Sequence, residues 1–417
     1  MTTPSFSRLG SANTYDTARS NLMSRQTALS NAQEHLTSGK RVSTASDDPT
    51  AAAQAERALT RISRIQTDQR ALEAQKSAIT QAESTLGDVN DTLQNFRELV
   101  VNAGNGTHTA AERKIIAGQL SGLRDQVFAL SNRKDTNGQP LFGALASALT
   151  PFVGPQAAAP DYTFNGLPGQ TASSEVAIPF ALDGDSAFML QANRDGVYNV
   201  SVSTIPTTRT LTTDSVSVTS AAAVNGATYS IAITAVDTTT VPGTTSVSYN
   251  LTATPPGTVT PQTAPGYPST QAANIAVVGM AGLALNIKGT PAVGDTIKVD
   301  PNPSLFSVLD DAIRDIGSAA NNNAAIQAVS QALGNIDIGM GRISAVRGQA
   351  GDLLNRADRI SSNQEKRSIQ MEADRSRAED LDMVKGISDF QNQQTGYQAA
   401  LQSYAQVQKL SLFNYIG

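Results

Sequence analysis

The chain has 417 residues, a net charge of −5, 40% hydrophobic and only 5% aromatic residues, and neither Trp nor Cys. That is length enough for two or three domains with cores built mainly from Ala, Leu, Ile and Val. It excludes disulfides, thiolate chemistry and cysteine-ligated zinc, and it offers none of the clustered Lys and Arg that a nucleic-acid surface needs. No run of 18 apolar residues is present, so no membrane-spanning helix is expected, and the first 21 residues lack the apolar middle of a secretory signal.

Residues 1–140 read as helix. Tyr15, Leu22, Leu29 and Leu36 share a seven-residue frame in a first helix of about 25 residues. Ile65, Leu72, Ile79, Leu86, Leu93 and Val100 repeat every seven residues in a second, with Ala82, Val89 and Phe96 in the companion positions. A seven-residue apolar repeat keeps one seam turned toward a partner helix. From Ala58 to Val100 that seam runs about 65 Å at the usual helical rise, so it needs an equally long partner. Thr109 and Glu112 form a capping box that opens a third helix striped by Ile116, Leu120, Leu123, Val127 and Leu130. An Asn-Gly turn and a proline within 135–140 close it.

The composition changes after residue 140. Between Gly196 and Ile287 the only charged residues are Arg209, Asp214 and Asp237. Alternating runs (Tyr198, Val200, Val202; Tyr229, Ile231, Ile233; Val247, Tyr249, Leu251) predict strands. The prolines in 252–270 predict an irregular loop. Helical patterning returns at 305. Ile336, Ile343, Ala350, Ala357, Met371 and Ala378 share one frame, Val346, Leu353, Ile360 and Leu381 the companion one, and Gln364, Arg367 and Asp374 weaken the seam midway. Met383, Phe390, Tyr397 and Tyr404 are again seven apart.

The expected fold is therefore α+β: a long antiparallel coiled coil of N- and C-terminal helical arms with an inserted β-rich domain. The boundaries divide it into an assembly helix (1–45), the first part of the helical rod (46–145), the β-rich insertion (146–304), the second part of the rod (305–375) and a second assembly helix (376–417). Between the first two helices, "TSGKRVSTASDDP" breaks the pattern at 37–49. Gly39 suits a helix C-terminus, Lys40 and Arg41 the negative end of the dipole, Asp48 an N-cap, and Pro49 the first helical position. This is a joint between two helices rather than a catalytic loop.

The run "LTSGKRVSTASDDPTAAAQA" resembles the N-terminal signature shared by flagellins and hook-associated proteins, and its Gly-Lys-Arg-Val and Ser-Asp-Asp-Pro look most like the hook–filament junction branch of that flagellin-like family. "NAGNGTHTAAER", "LRDQVFALSNRKDTNGQPLFGA" and the C-terminal "RAEDLDMVKGISDFQNQQTGYQAALQSYAQVQKLSLFNYIG" resemble the same family, so the likeness covers roughly 1–145 and 305–417. The resemblance implies an extracellular structural subunit of the bacterial flagellum, exported unfolded without a cleaved signal. Its implied partners are copies of itself, the adjoining hook-associated protein, flagellin and an export chaperone, with no nucleic acid and no membrane. On that reading Leu22, Leu29, Leu36, Phe390, Tyr397, Leu401 and Tyr404 carry the assembly interface, and Gly39, Asp48 and Pro49 the joint. A flagellin proper and, further off, an extracellular adhesin-like rod remain the alternatives.

Chemistry is not legible. His35 and His108 stand alone and read as surface residues. In "GMGRISAVRG" Ser344 replaces the third glycine of a dinucleotide fingerprint, and the stretch reads as helix. Asp47 and Asp48 read as capping residues rather than paired acids. Asp183 and Asp185 lack the rest of a calcium loop and predict a hairpin turn. No enzyme and no cofactor are expected.

Overall fold

The computed structural model describes residues 6–145, 148–157, 160–204 and 210–416; Arg209 lies outside them. Three helices come first: α1 (Phe6–Ser38), α2 (Pro49–Ala103) and α3 (Ala110–Ser131). Then follow the short strands β1 (Phe152–Val153) and β2 (Thr163–Phe164), and the short helices α4 (Gly184–Phe188) and α5 (Ala192–Asp195). The β-rich region holds β3 (Tyr198–Ser203), β4 (Leu211–Thr213), β5 (Ser217–Val218), β6 (Thr228–Asp237), β7 (Thr244–Thr254), β8 (Thr258–Thr263), β9 (Tyr267–Pro268), β10 (Ala273–Ala276), β11 (Leu283–Ala284), β12 (Asn286–Gly289) and β13 (Thr296–Pro301). The helices α6 (Leu305–Gly317), α7 (Asn322–Glu379) and α8 (Met383–Ile416) complete the chain. The fold is α+β, as expected, with long helices on both sides of a β-rich region.

The chain divides into two compact units, residues 1–70 with 361–417, and residues 71–360. In the larger unit α2 and α7 run antiparallel. Lys76 pairs with Asp358 at 2.8 Å, Glu83 with Arg347 at 2.6 Å, and Arg97 with Asp337 at 2.8 Å, so the numbers fall on one helix as they rise on the other. These pairs are solvent-exposed and add little energy. The seam between them carries the stability: Ile79, Ala82, Leu86, Val89, Leu93, Phe96 and Val100 are wholly buried, as are Ile336, Ile343, Ala350 and Ala357. Each fully buried Leu, Ile, Val or Phe there is worth about 1.5–3 kcal/mol. The seven-residue frames place every one of these residues.

The predicted insertion divides between two cores. Phe152, Tyr162, Ile178, Leu182, Phe188 and Val197 belong to the same core as the helices. Phe306, at the start of α6, lies at its centre, with ring centroids 5.2 Å from Phe128 and Tyr162 and 5.6 Å from Phe152 and Phe188. Beside it the Tyr162 hydroxyl donates to Asp310 at 2.6 Å and accepts from Arg124 at 2.7 Å. Phe306→Ala is expected to cost about 3–5 kcal/mol, read as an earlier urea midpoint of the larger unit's transition.

The second core, from Tyr198 to Val299, belongs to the β-rich region alone. Its main sheet has the order β3-β13-β6-β7-β8, every pairing antiparallel. A smaller sheet runs β10-β12-β4. The predicted alternation holds: Tyr229, Ile231 and Ile233 of β6 and Val247, Tyr249 and Leu251 of β7 are buried. Three side chains of α7 at four-residue spacing seat this region. Gln327 accepts from the Thr213 amide at 2.8 Å, Gln331 donates to the Asp214 carbonyl at 2.9 Å, and Asn335 donates to the Tyr198 carbonyl at 3.0 Å.

Several expectations are corrected. Residues 252–270 are not a loop: β8 and β9 lie there, because β8 is the sheet edge, where Pro261 can sit without breaking a central ladder. The stretch 181–188 is not a hairpin turn. Asp183 caps α4, accepting from the Asp185 amide at 3.1 Å and the Ser186 hydroxyl at 2.7 Å. The first helix has 33 residues rather than about 25, since α8 runs to Ile416 and gives it a partner over that length. His35 and His108 are half-buried, not surface residues: His35 Nδ1 lies 2.8 Å from the Lys40 carbonyl, and His108 Nε2 lies 3.1 Å from Asn102 Oδ1. "GMGRISAVRG" lies within α7.

Candidate functional site: the paired terminal helices and their joint

The smaller unit holds every residue the sequence assigned to assembly and to the joint. There α1 and α8 run antiparallel. The Tyr404 hydroxyl donates to that of Tyr15 at 2.8 Å, with ring centroids 5.7 Å apart. At the other end Gly386 packs close: a Cβ there would stand 2.7 Å from Leu381 and 3.2 Å from Leu36. Leu22, Leu29, Leu36, Phe390, Tyr397 and Tyr404 are each half-buried in this pairing, and Leu401 is 40% exposed. Met23, Met383, Val384 and Ile387 are also exposed, Val384 to 82%. The helix pair thus leaves much of its apolar surface in water, unlike the dry seam of the larger unit.

The joint is built as its residues dictate. Gly39 ends α1 with φ +69°, a left-handed conformation that glycine adopts at little cost. Asp48 caps α2: its Oδ1 accepts from the Ala51 amide at 3.0 Å, the Thr50 amide at 3.1 Å and the Thr50 hydroxyl at 2.8 Å. Pro49 takes the first helical position, where its missing N–H is no loss. Asp47 folds the loop, accepting from the Ser43 and Thr44 amides at 3.0 and 2.8 Å. The Ala51 amide and the Thr50 hydroxyl, helped by Arg41, hold the Asp48 carboxyl down to about 2, so the cap contributes above the ordinary carboxylate value near 4 and is lost as pH falls toward 2. Asp48→Ala is expected to speed amide exchange at Thr50 and Ala51 at every pH, whereas Asp48→Asn keeps the cap and removes its dependence on acid.

Sequence reasoning missed what the joint rests on. The α7–α8 break at 380–382 meets it directly. The Arg41 and Val42 amides donate to the Glu379 carbonyl at 2.7 and 3.2 Å, and the Leu381 amide donates back to the Gly39 carbonyl at 2.9 Å. Glu379 is buried and takes two cations, Lys40 and Arg375, while Arg41 donates to the Ala378 carbonyl at 2.8 Å. One signal was available: Asp382, just ahead of the Met383 frame, caps α8 by accepting from the Val384 and Lys385 amides at 3.0 and 3.2 Å.

Among the described residues no group of three or more His, Asp or Glu side chains could hold a metal ion, and no helix is long and apolar enough to cross a membrane. What the site can do is associate. It offers two amphipathic helices with incompletely buried faces, fixed to each other by a hydrogen-bonded joint.

Two family models match where these features lie. The bacterial flagellin N-terminal helical region matches residues 11–146, and the bacterial flagellin C-terminal helical region matches residues 333–416. Together they account for more than half of the chain, which carries both terminal regions of the bacterial flagellin family and belongs to it. Within that family the chain is 33% identical over 147 residues to "Flagellar hook-associated protein 3" of Salmonella typhimurium, covering 35% of this chain and 46% of that one. It is 32% identical over 121 residues to a flagellin of Serratia marcescens, covering 29% and 34%. The chain thus spans less than half the length of these curated relatives. The flagellar hook-associated protein-3 structure from Legionella pneumophila superposes with a TM-score of 0.60 at 24% identity, covering 76% of this chain and 97% of that one, a likeness of fold.

Proposed function

We propose that this chain is a structural subunit of the bacterial flagellum that joins hook to filament. The observation that carries this reading is the terminal pair: α1 and α8 lie in the two flagellin regions, and Leu22, Leu29, Leu36, Phe390, Tyr397 and Tyr404 of their seam each keep part of their surface in water. A surface of that kind is completed by neighbours, and contacts that do not close on themselves extend a helical lattice. The Salmonella hook-associated protein and the Legionella structure favour the junction over the filament proper.

On this reading the partners are neighbouring copies of the chain, the adjoining hook-associated protein on one side and flagellin on the other. The surfaces that meet them include Leu22, Leu29, Leu36, Phe390, Tyr397, Leu401 and Tyr404. Before export the C-terminal helix lies on a chaperone, as an amphipathic helix in a groove, and the protein ends outside the cell in the flagellum. On this reading residues 1–45 and 376–417 act in assembly and the rest of the helical arms form the rod, the helices themselves breaking at 39–48 and 380–382. Deleting the gene is expected to leave hooks intact while flagellin is shed into the medium, seen by electron microscopy of cells and immunoblotting of supernatant. Hooks bearing filaments of normal number and length would assign the chain to a minor flagellin or an adhesin-like rod instead.

A further inference from the structure

With neither Trp nor Cys in the chain, its tyrosines are the readiest one-electron donors it has. Several of them are committed elsewhere. Tyr162, Tyr198, Tyr229 and Tyr249 are almost fully buried in the two cores. The Tyr162 hydroxyl is held by Asp310, that of Tyr229 donates to Asn225 at 3.2 Å, and that of Tyr249 accepts from the Val278 amide at 2.9 Å.

Tyr15 and Tyr404 are placed differently. They face each other across α1 and α8, 389 positions apart in the chain, with a hydroxyl-to-hydroxyl bond of 2.8 Å and ring planes tilted by 41°. Tyr15 is exposed, and Tyr404 borders an open groove of about 560 Å³ whose other walls include the small side chains of Ala18, Ala28, Ala400 and Ser403. Small neighbours leave the ring edges open to an approaching oxidant. A bond from one phenol oxygen to the other also brings together the ring carbons beside each hydroxyl, and these are the carbons at which phenoxyl radicals couple. The incomplete burial of the helix pair lets both rings turn toward each other.

We propose that Tyr15 and Tyr404 form a site of oxidative modification, at which a one-electron oxidant of the haem-peroxidase class, drawing on hydrogen peroxide, joins the two rings as dityrosine and ties α1 to α8. Each phenol gives up one electron and its hydroxyl proton and becomes a tyrosyl radical. The two radicals form one carbon–carbon bond between the positions ortho to oxygen. Each of those carbons then passes its hydrogen, as a proton, to the oxygen beside it, which restores both hydroxyls. The peroxide takes up the two electrons and two protons and leaves as two waters. The new bond closes almost the whole chain into a loop and removes the open states of the terminal pair from the ensemble, as a crosslink between distant residues does. The site is independent of any role at the hook–filament junction.

The test uses dilute, monomeric full-length chain treated with a haem peroxidase and peroxide. Peroxide alone, which converts exposed methionines such as Met23 and Met383 to sulfoxides, is the control. The monomer is recovered by size and digested with trypsin. Cleavage after Arg8, Arg19, Lys385 and Lys409 places Tyr15 in residues 9–19 and Tyr404 in residues 386–409. The expected result is these two peptides joined, two hydrogen atoms lighter than their sum, with fragmentation placing the link at Tyr404 rather than Tyr397. Tyr15→Phe and Tyr404→Phe should each lower the dityrosine fluorescence of the monomer at least tenfold, and Tyr397→Phe should leave it. In the linked monomer, amide exchange over 15–38 and 383–404 should slow at least tenfold relative to the peroxide control. A monomer without the linked peptides, in a reaction that couples added free tyrosine, overturns the site, as does fluorescence that survives Tyr15→Phe. A link that leaves exchange unchanged overturns the tie between the helices.

Discussion

Replacing residues 198–301 with a short Gly-Ser linker is expected to leave the helical part of the chain folded, whereas replacing 150–300 is expected to abolish its cooperative unfolding. The difference follows from where the two cores divide. Tyr198 and Pro301 are paired neighbours on β3 and β13, and just outside them the Asn302 amide donates to the Val197 carbonyl at 3.0 Å. The ends of the smaller excision already meet. Its core, Tyr198 to Val299, contributes nothing to the helical one. What it uncovers on α7 is the polar row Gln327, Gln331 and Asn335, which water can satisfy. The larger excision also removes Phe152, Tyr162, Phe188 and Val197, all almost fully buried, and strips Phe306 of three of the rings around it. Large-to-small changes at single aromatic positions cost about 3–5 kcal/mol each, while a whole domain is stable by only about 5–15 kcal/mol. Circular dichroism at 222 nm with thermal melts reads both variants. Cooperative melting of the larger excision would mean that the aromatic cluster is dispensable, and loss of helix in the smaller one would mean that the β-rich region is needed to fold the arms.

The seams of α2 and α7 were legible because large aliphatic residues repeat at one period over many turns, and nothing in the tertiary structure competes with that pattern. The joint was legible because Gly39 and Asp48-Pro49 specify backbone geometry locally. The aromatic cluster was not. Phe152, Tyr162 and Phe188 come from segments with no periodicity, and only the fold brings them to Phe306. Nor was the α7–α8 break, where Asp380-Leu381-Asp382 contains neither Gly nor Pro. That helix ends because residues 39–42, more than 300 positions away, bond to the backbone at Glu379 and Leu381. The 252–270 segment was misread for a related reason: proline counts against a strand only where both edges are paired, and edge position is a property of the sheet, not of the segment. For assembly, the sequence identified the apolar positions on α1 and α8 but could not say how incompletely each would bury the other.

That incomplete burial sets the expected result of proteolysis. In the isolated chain, protease is expected to remove residues up to about 45 and from about 375 onward, leaving a fragment near 50–370. A fully buried Leu or Phe contributes about 1.5–3 kcal/mol, and one that keeps part of its surface in water gives proportionately less. The six half-buried seam residues of α1 and α8 together therefore supply less than the dry seam of the larger unit, where eleven side chains are wholly out of water. The core that anchors the terminal pair at the joint is small as well: Val42, Ala51, Ala55 and Ala378. Helices held mainly by such packing open locally well before the rest of the chain unfolds, and cleavage follows the open population when reclosing is fast. Mass spectrometry of the fragments over a trypsin time course reads the order of loss. Trypsin has sites on both sides of the boundary, at Arg19, Arg25 and Lys385 outside it and at Arg97 and Lys114 inside. Cleavage at the inner sites as early as at the outer ones, or ends that resist while monodisperse, would show that α1 and α8 are already complete without a neighbour.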